Sequence, residues 1–515
     1  MARANLDALI PREDFKAEDA VIDAGKKKGQ VSLQDLEETG WFYKSLRKPD
    51  FQRETSEWTP AKICGFVKTF LDGDLIPSLI LWRNEKGYTF VIDGSHRISA
   101  LLAWINDDYG DGAISKRFFE EVIPEEQLEI AAKTRKLIRV AIGPYSDYIL
   151  AHKSPEKVRQ DILGRIPKLG TLAIDLQWVE GNSDKAEASF LKINQLASPI
   201  NKTELALINA RKLPSGLATR GILKSGRGQQ YWDRFEVKPR LKQVSEQTNK
   251  ILFAPPIKEP IKTVDLPIAG HGYSADTLPL VLGFVESVNR DADGKISDAV
   301  DTDGRITLDY LEKCLHIAQR ISSKEPFSLG LHPAIYFYSQ EGKYKAASFR
   351  AVIDFIAELE KTDAFDDFTD ARARIENFLF DNDQFIQQIV RKHRGAVRAA
   401  PHIKNFFLFL MKKFLEGKTA DEIIKNEIAK SDFNYLTVSP SPNLTEYGKE
   451  IPTEVKNLTF LSQAVPGTIK CGICQGFLDS KSMSYDHITR KREGGTGNPE
   501  NVQLAHFYCN TTYKN

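Results

Sequence analysis

Near the end of the chain stand two short pairs, Cys471-Gly-Ile-Cys474 and His506-Phe-Tyr-Cys509, separated by 31 residues. Each pair is bridged by a two-residue turn. Together they offer three thiols and an imidazole, a donor set and spacing that suit a tetrahedral structural zinc. About sixty residues cannot bury much core, so a metal staple explains how this segment folds. The alternative, buried free cysteines beside a stray histidine, requires both members of both pairs to coincide by accident. The chain has five cysteines in all. That sparse, odd number argues against a secreted disulfide framework and leaves Cys64 and Cys314 as ordinary buried thiols.

The 515 residues carry 71 Lys+Arg against 70 Asp+Glu, a net charge of +1, with 41% hydrophobic and 27% charged residues. At roughly 100–200 residues per domain, this is a globular chain of about two to four domains. The charge balance excludes a uniformly basic nucleic-acid coat but not local patches. Residues 201–250 hold eleven Lys/Arg against four acids, and residues 391–418 hold eight against Glu416 alone, each net +7. Such runs usually mark solvated faces, and they are also candidate grips on a polyanion backbone. The N-terminus lacks the apolar core of a signal peptide, and no run approaches the roughly 18 apolar residues needed to span a bilayer. A cytoplasmic protein with no membrane partner is expected.

Between the two metal pairs lie Tyr485-Asp486-His487-Ile488, then Arg490-Lys491-Arg492-Glu493-Gly494-Gly495, Asn498 and Asn501, with Asn510 after the last cysteine. An imidazole titrating near neutral pH suits general-base work. Hard oxygen donors suit Mg2+, which stabilises charge on a phosphate and its leaving oxygen. A basic triplet beside two glycines offers charge and close backbone approach to a strand. These residues resemble the zinc-ribbon-supported branch of the HNH (ββα-metal) endonucleases over roughly 465–515. His506 stands where that family usually has cysteine, and Asn510 where it has its final histidine. The resemblance implies that His487 is the general base, that Asp486 and Asn510 hold a catalytic divalent metal, most simply Mg2+, and that Asn501 fixes the loop orienting His487. It also implies structural zinc on Cys471, Cys474, His506 and Cys509, and DNA contacts from Arg490, Lys491 and Arg492. A zinc knuckle that only binds nucleic acid or protein would not need the Asp-His pair and two asparagines.

In the first third, Thr59 and Pro60 read as the cap and first residue of a helix stopped by Gly73. Residues 76–82 and 88–92 read as a hairpin around the turn 84–87. Asp93-Gly94-Ser95-His96-Arg97 then leads into an apolar helix, 98–105. A strand, this pentapeptide and a helix bring backbone N–H groups, an arginine and a carboxylate to a helix N-terminus, a natural phosphate site, although Asp-Gly here can equally be a plain turn and cap. Residues 47–105 resemble the ParB/sulfiredoxin-like domain of GmrSD-type restriction systems through Pro49-Asp50-Phe51-Gln52-Arg53, Trp58, the segment LDGDLIPSLIL and DGSHR. Phe190 to Asn194 and Ile200 to Leu205 resemble its later F-x-x-x-N and EL segments. The family's usual glutamine is Ser95 here, so binding is better supported than hydrolysis. The resemblance implies a nucleotide site at Gln52, Arg53, Asp93, Gly94, His96 and Arg97, an NTP ligand with an additional NTPase activity, and DNA sensing.

Residues 289–306 echo half of an EF-hand loop twice, but Val300 and Tyr310 occupy the twelfth positions, so Asp-Gly turns are expected instead. His316, His332 and His402 lie among apolar residues and are expected to be packed. The stretch 439–454 reads as a linker, and 348–429 as amphipathic helices. The expected architecture is therefore multidomain α+β: a ParB-like α/β sensor (1–215), a mostly helical linking domain (216–455) and an HNH domain with structural zinc (456–515). The expected function is a metal-dependent DNA endonuclease regulated by the sensor, acting in anti-phage defence or restriction of modified DNA. The rival is a nucleotide-switched DNA clamp with a non-catalytic zinc knuckle. One HNH unit cuts one strand, and a homo-oligomer is one way to supply a second.

Overall fold

Side-chain chemistry sets the boundaries of the first long helix. Thr59 accepts from the Lys62 N–H at 3.3 Å, Pro60 occupies the first position and Gly73 closes the helix at φ 80°, giving α1 (Pro60–Asp72). A computed structural model describes the chain except residues 1–2, 14–25, 50–51, 53–54, 56, 120, 122, 152, 198–201, 211, 228–231, 233–234, 273–276, 292, 298, 439–449 and 514–515. Most of the expected linker 439–454 thus lies outside the described residues, as does Arg53. The chain divides into two compact units, residues 1–211 with 227–235, and residues 212–226 with 236–515.

In the first unit, β1 (Arg12–Glu13), β2 (Gln30–Ser32), β3 (Leu46–Pro49), β4 (Leu79–Arg83), β5 (Thr89–Asp93) and β6 (Ala173–Trp178) form a mixed sheet in the order β1-β3-β5-β4-β6-β2. The expected hairpin is present, with β4 antiparallel to β5 and Arg83 opposite Thr89. β4 begins at Leu79 rather than Ile76 because Pro77 has no N–H to give, and the carbonyls of Pro77 and Ser78 accept from Arg97. Alternation along β4 and β5 divides their side chains between two faces. Leu79, Leu81 and Val91 pack with Ile63 and Val67 of α1, Ile98 of α2 (Ser95–Ile105) and Ala131 of α3 (Glu125–Ala141). Trp82, Phe90 and Ile92 pack with Ala186 and Phe190 of α4 (Ser183–Ala197) on the other face. Each such fully buried Leu, Val or Phe contributes roughly 1.5–3 kcal/mol. The sheet thus carries helices on both faces, the α/β layering expected for this part of the chain.

The basic stretch 201–250 begins three helices among the described residues: α5 (Lys202–Asn209), α6 (Pro214–Leu223) and α7 (Lys238–Phe253). The chain passes between the units within this stretch. The second unit continues with α8 (Thr277–Val288), α9 (Arg305–Ile321), α10 (Ala346–Thr362), α11 (Phe365–Asp381), α12 (Gln384–Lys392) and α13 (Ala396–Leu415). Edge-to-face aromatic pairs, such as Phe355 with Phe407 at 5.8 Å and Phe378 with Phe414 at 6.0 Å, tie the helices together. The Asp-rich echo is a turn and a cap. Asp291 accepts from the N–H groups of Asp293 and Lys295, while buried Asp301 accepts from the Gly304 and Thr307 N–H groups ahead of α9. His332 is buried and His316 lies against Phe327, as expected of packed histidines. His402 departs from that expectation. It is exposed and stacked on His393 at 3.5 Å, because the helical period puts it at the border of the stripe that Ala399, Ile403 and Phe406 bury, not at its centre. Cys64 and Cys314 are buried free thiols, and burial raises the pKa of each. Among the described residues no helix is long and apolar enough to cross a membrane.

Candidate active site and metal centre

In the same unit, after α14 (Thr453–Ala464), β7 (Met483–His487) pairs antiparallel with β8 (Val502–His506), and residues 507–513 complete a short helical turn. Cys471 and Cys474 flank a knuckle in which the Cys471 N–H donates to the Gly476 carbonyl and the Gln475 N–H to that of Cys471. His506 ends β8, and Cys509 sits on the turn that follows. The four ligand atoms lie within 4.8 Å of one another. Cys471, His506 and Cys509 are buried.

The His506 Nε2 lies 3.0 Å from the Phe477 carbonyl, an acceptor, so this nitrogen carries the proton. Nδ1 then faces the sulfurs, 3.4 Å from Cys474 and 3.7 Å from Cys509. Without a cation only one sulfur can ionise comfortably. Cys471 is pulled far down by hydrogen bonds from Cys474 and Cys509, Cys474 is pushed up to about 12 by its bond to Cys471, and Cys509 is raised by its bonds to both. Three crowded thiols and an oriented imidazole fit a structural Zn2+, which takes thiolates and neutral imidazole together.

Asp486 and His487 are the last residues of β7. Asp486 is buried and its carboxylate accepts from Gln503 Nε2 at 2.8 Å, across the register pair Asp486–Gln503. Period-two alternation puts Asp486 on the face of Ser484. Asn510 reaches that same face, its amide nitrogen 3.2 Å from the Ser484 hydroxyl and 3.1 Å from the Tyr485 carbonyl. The structure therefore brings Asp486 and Asn510 to one side of the strand, with His487 at its half-buried end. Their oxygen chemistry suits a hard divalent cation.

Asn501 spans the loop that follows His487. Its side chain accepts from the Thr489 N–H at 2.7 Å and donates to the Thr489 and Thr496 carbonyls, while its own carbonyl accepts from the Ile488 N–H. Gly495 belongs to this turn, since a Cβ there would fall 1.8 Å from the Thr489 oxygen. Lys491 and Arg492 are exposed on the loop and Arg490 is half-buried. Arg492 makes an open, solvated pair with Glu493 at 3.9 Å.

In the first unit the expected phosphate-type loop joins β5 to α2. Gly94 has φ 95°, and a Cβ on it would lie 2.4 Å from a Leu79 methyl, so a side chain is excluded twice. Arg97 donates to Asp93 at 2.5 Å and to the carbonyls of Pro77 and Ser78, closing the loop on itself. Gln52 is brought to the same place, its Nε2 3.4 Å from the Ser95 hydroxyl. The Gln52 Oε1 is buried with no hydrogen-bond partner, beside a helix N-terminus that no side chain caps. His96 accepts from the Glu57 N–H at 3.4 Å and stacks on Trp58. Gln52, Asp93, Gly94, His96 and Arg97 are thus assembled around one helix start. The uncapped N–H groups there fit an anion such as a nucleotide phosphate, while the orphaned Gln52 oxygen can only accept and would suit a donor, such as a hydroxyl or amine, on the same ligand.

Gln503 and the Trp58 stack were not anticipated as site features. Gln503 becomes one only through strand register, which sequence does not print. Trp58 stands in the matched stretch, but only folding shows the ring it meets. Residues 34–211 match the family model described as GmrSD restriction endonuclease, N-terminal domain, and residues 471–515 match that of the HNH endonuclease. No curated protein and no solved structure matches the chain.

Proposed function

We propose that this chain, which joins a GmrSD-type N-terminal domain to an HNH endonuclease domain, is a metal-dependent DNA endonuclease whose cutting is governed by nucleotide binding in its first unit. The two matches support a restriction-type nuclease, and the grouping of Asp486, His487 and Asn510 around β7 on a zinc-type base carries the reading. His487 takes the proton from a water attacking the phosphodiester in line. Asp486 and Asn510 would hold one divalent ion, Mg2+ being the simplest choice for their oxygens. When bound, that ion stabilises negative charge on the phosphate and the leaving oxygen. Asn501 keeps the 488–501 loop in shape so that the imidazole stays aimed, and Arg490, Lys491 and Arg492 meet the DNA backbone.

The first unit is read as ParB/sulfiredoxin-like, with Gln52, Arg53, Asp93, Gly94, His96 and Arg97 contacting an NTP. Its role is to license cleavage of phage or otherwise modified DNA in the cytoplasm, and a homo-oligomer would bring a second cutter. The test is cleavage of plain, glucosylated-hydroxymethylated and phosphorothioated DNA, each with and without ATP, GTP or CTP. His487→Ala is expected to lose about 10²–10⁴-fold in Mg2+-dependent cleavage while DNA binding persists. Cleavage unchanged in that variant would remove the HNH assignment. Nucleotide binding with no strand scission on any substrate would leave a nucleotide-switched clamp instead.

A further inference from the structure

The zinc-type cluster is not walled by its own sixty residues alone. Helix α11 (Phe365–Asp381), about a hundred positions earlier, presents Arg372 and Glu376 to it, both fully buried. Glu376 receives the Phe477 N–H on Oε2 at 2.6 Å and the Arg372 Nε–H on Oε1 at 2.7 Å, with the Tyr336 hydroxyl at 3.2 Å. The carbonyl of the same Phe477 is the acceptor of the His506 Nε2–H at 3.0 Å. One residue, Phe477, is therefore held by a carboxylate through its N–H while its C=O holds a zinc ligand. Arg372 spends its remaining nitrogens on the carbonyls of Leu329 (2.5 Å) and Gly330 (2.9 Å). That loop presses on the cluster, for a Cβ on Gly330 would stand 3.0 Å from the His506 ring. Ser328 continues the seam, its hydroxyl 2.9 Å from that of Ser482 and its carbonyl accepting from the Tyr508 N–H.

We propose that Arg372 and Glu376 are positioning residues of the zinc centre: Glu376, through the Phe477 backbone, fixes the His506 tautomer and ring orientation, and Arg372 holds both Glu376 and the 329–330 wall in place. The helical segment is then part of the metal site and not merely a linker to it. Partners of a metal-bound imidazole's second nitrogen commonly change affinity by about 10–100-fold when removed. The proposal rests on the zinc reading above, and the experiment separates the two.

Full-length protein and its Glu376→Gln and Arg372→Met variants are assayed for bound zinc by metal analysis, then for the rate of zinc transfer to a chromogenic chelator. Zinc in the unaltered protein with release about ten-fold or more faster in Glu376→Gln is the expected result. Absence of zinc from the unaltered protein would sink the zinc reading itself. The discriminating arm is a His506→Cys background, where no imidazole needs orienting, and there Glu376→Gln is expected to lose its effect on release. Release unchanged in Glu376→Gln, or an equal acceleration with and without His506, would overturn the positioning role. Should the buried substitutions fail to fold, Tyr336→Phe, which removes only one donor to Glu376, tests the same relay with the same readout.

Discussion

Gly94 and Arg97 illustrate how much of a site can hang on single residues. The left-handed turn at Gly94 aims Ser95 and His96 into the first turn of α2, and Arg97 folds back onto Asp93 and two carbonyls of the preceding segment. Gly94→Ala must pay for a positive φ and for a methyl driven into Leu79, each an independent cost. A loss of about 1–3 kcal/mol from the backbone alone is expected, with the clash added, seen as a lower melting temperature of the unfolding transition. An unchanged melting temperature would mean that the loop can invert without cost. The placement of Asp93 and Arg97 was legible in the sequence, since a strand, a turn pentapeptide and a helix determine where they stand. The buried, unpartnered oxygen of Gln52 was not legible, because its burial depends on chain forty residues away.

At the scale of elements, legibility follows locality. α1 could be drawn from Thr59, Pro60 and Gly73 because caps act within one turn, and the β4–β5 hairpin from its turn residues. The edge strands β1 and β2 run for two and three residues and exist only because neighbours pair with them. Arg372 and Glu376 have the i, i+4 spacing common on exposed helix faces, yet Phe368, Arg372, Ile375 and Leu379 fall on one helical stripe. That arginine on an apolar stripe was the available signal that something polar would cover it. The β7–β8 pair, with two five-residue strands, is too small to stand without support. Stripping zinc with a strong chelator should therefore raise hydrogen exchange in residues 471–513 and abolish cleavage, while the first-unit sheet keeps its protection. Protection retained through 471–513 after complete metal removal would show that packing against the helices suffices.

For the molecule as a whole, the near-neutral charge conceals its distribution: +1 is the sum of two +7 stretches, a basic loop beside β7 and acidic residues elsewhere. Structure divides those stretches further. Lys404 and Lys413 in the second run are engaged by Glu358, Glu416 and Glu427, so the charge available to a polyanion is smaller than the count implies. Lys491 and Arg492, by contrast, are exposed on the loop joined to the candidate base, where a phosphate backbone can reach them. Among the described residues there is one such grouping, formed by β7, β8 and the turn after them. A single HNH centre acting as proposed breaks one phosphodiester per encounter, so cutting both strands takes a second encounter or a second copy. On supercoiled plasmid, the nicked circle is expected to accumulate first and linear DNA to follow with a lag. Raising protein concentration should shorten that lag more than it speeds nicking if a second copy supplies the second cut. Linear product appearing at the earliest times with no nicked intermediate, at every protein concentration, would mean that the two cuts are coupled in a preformed assembly.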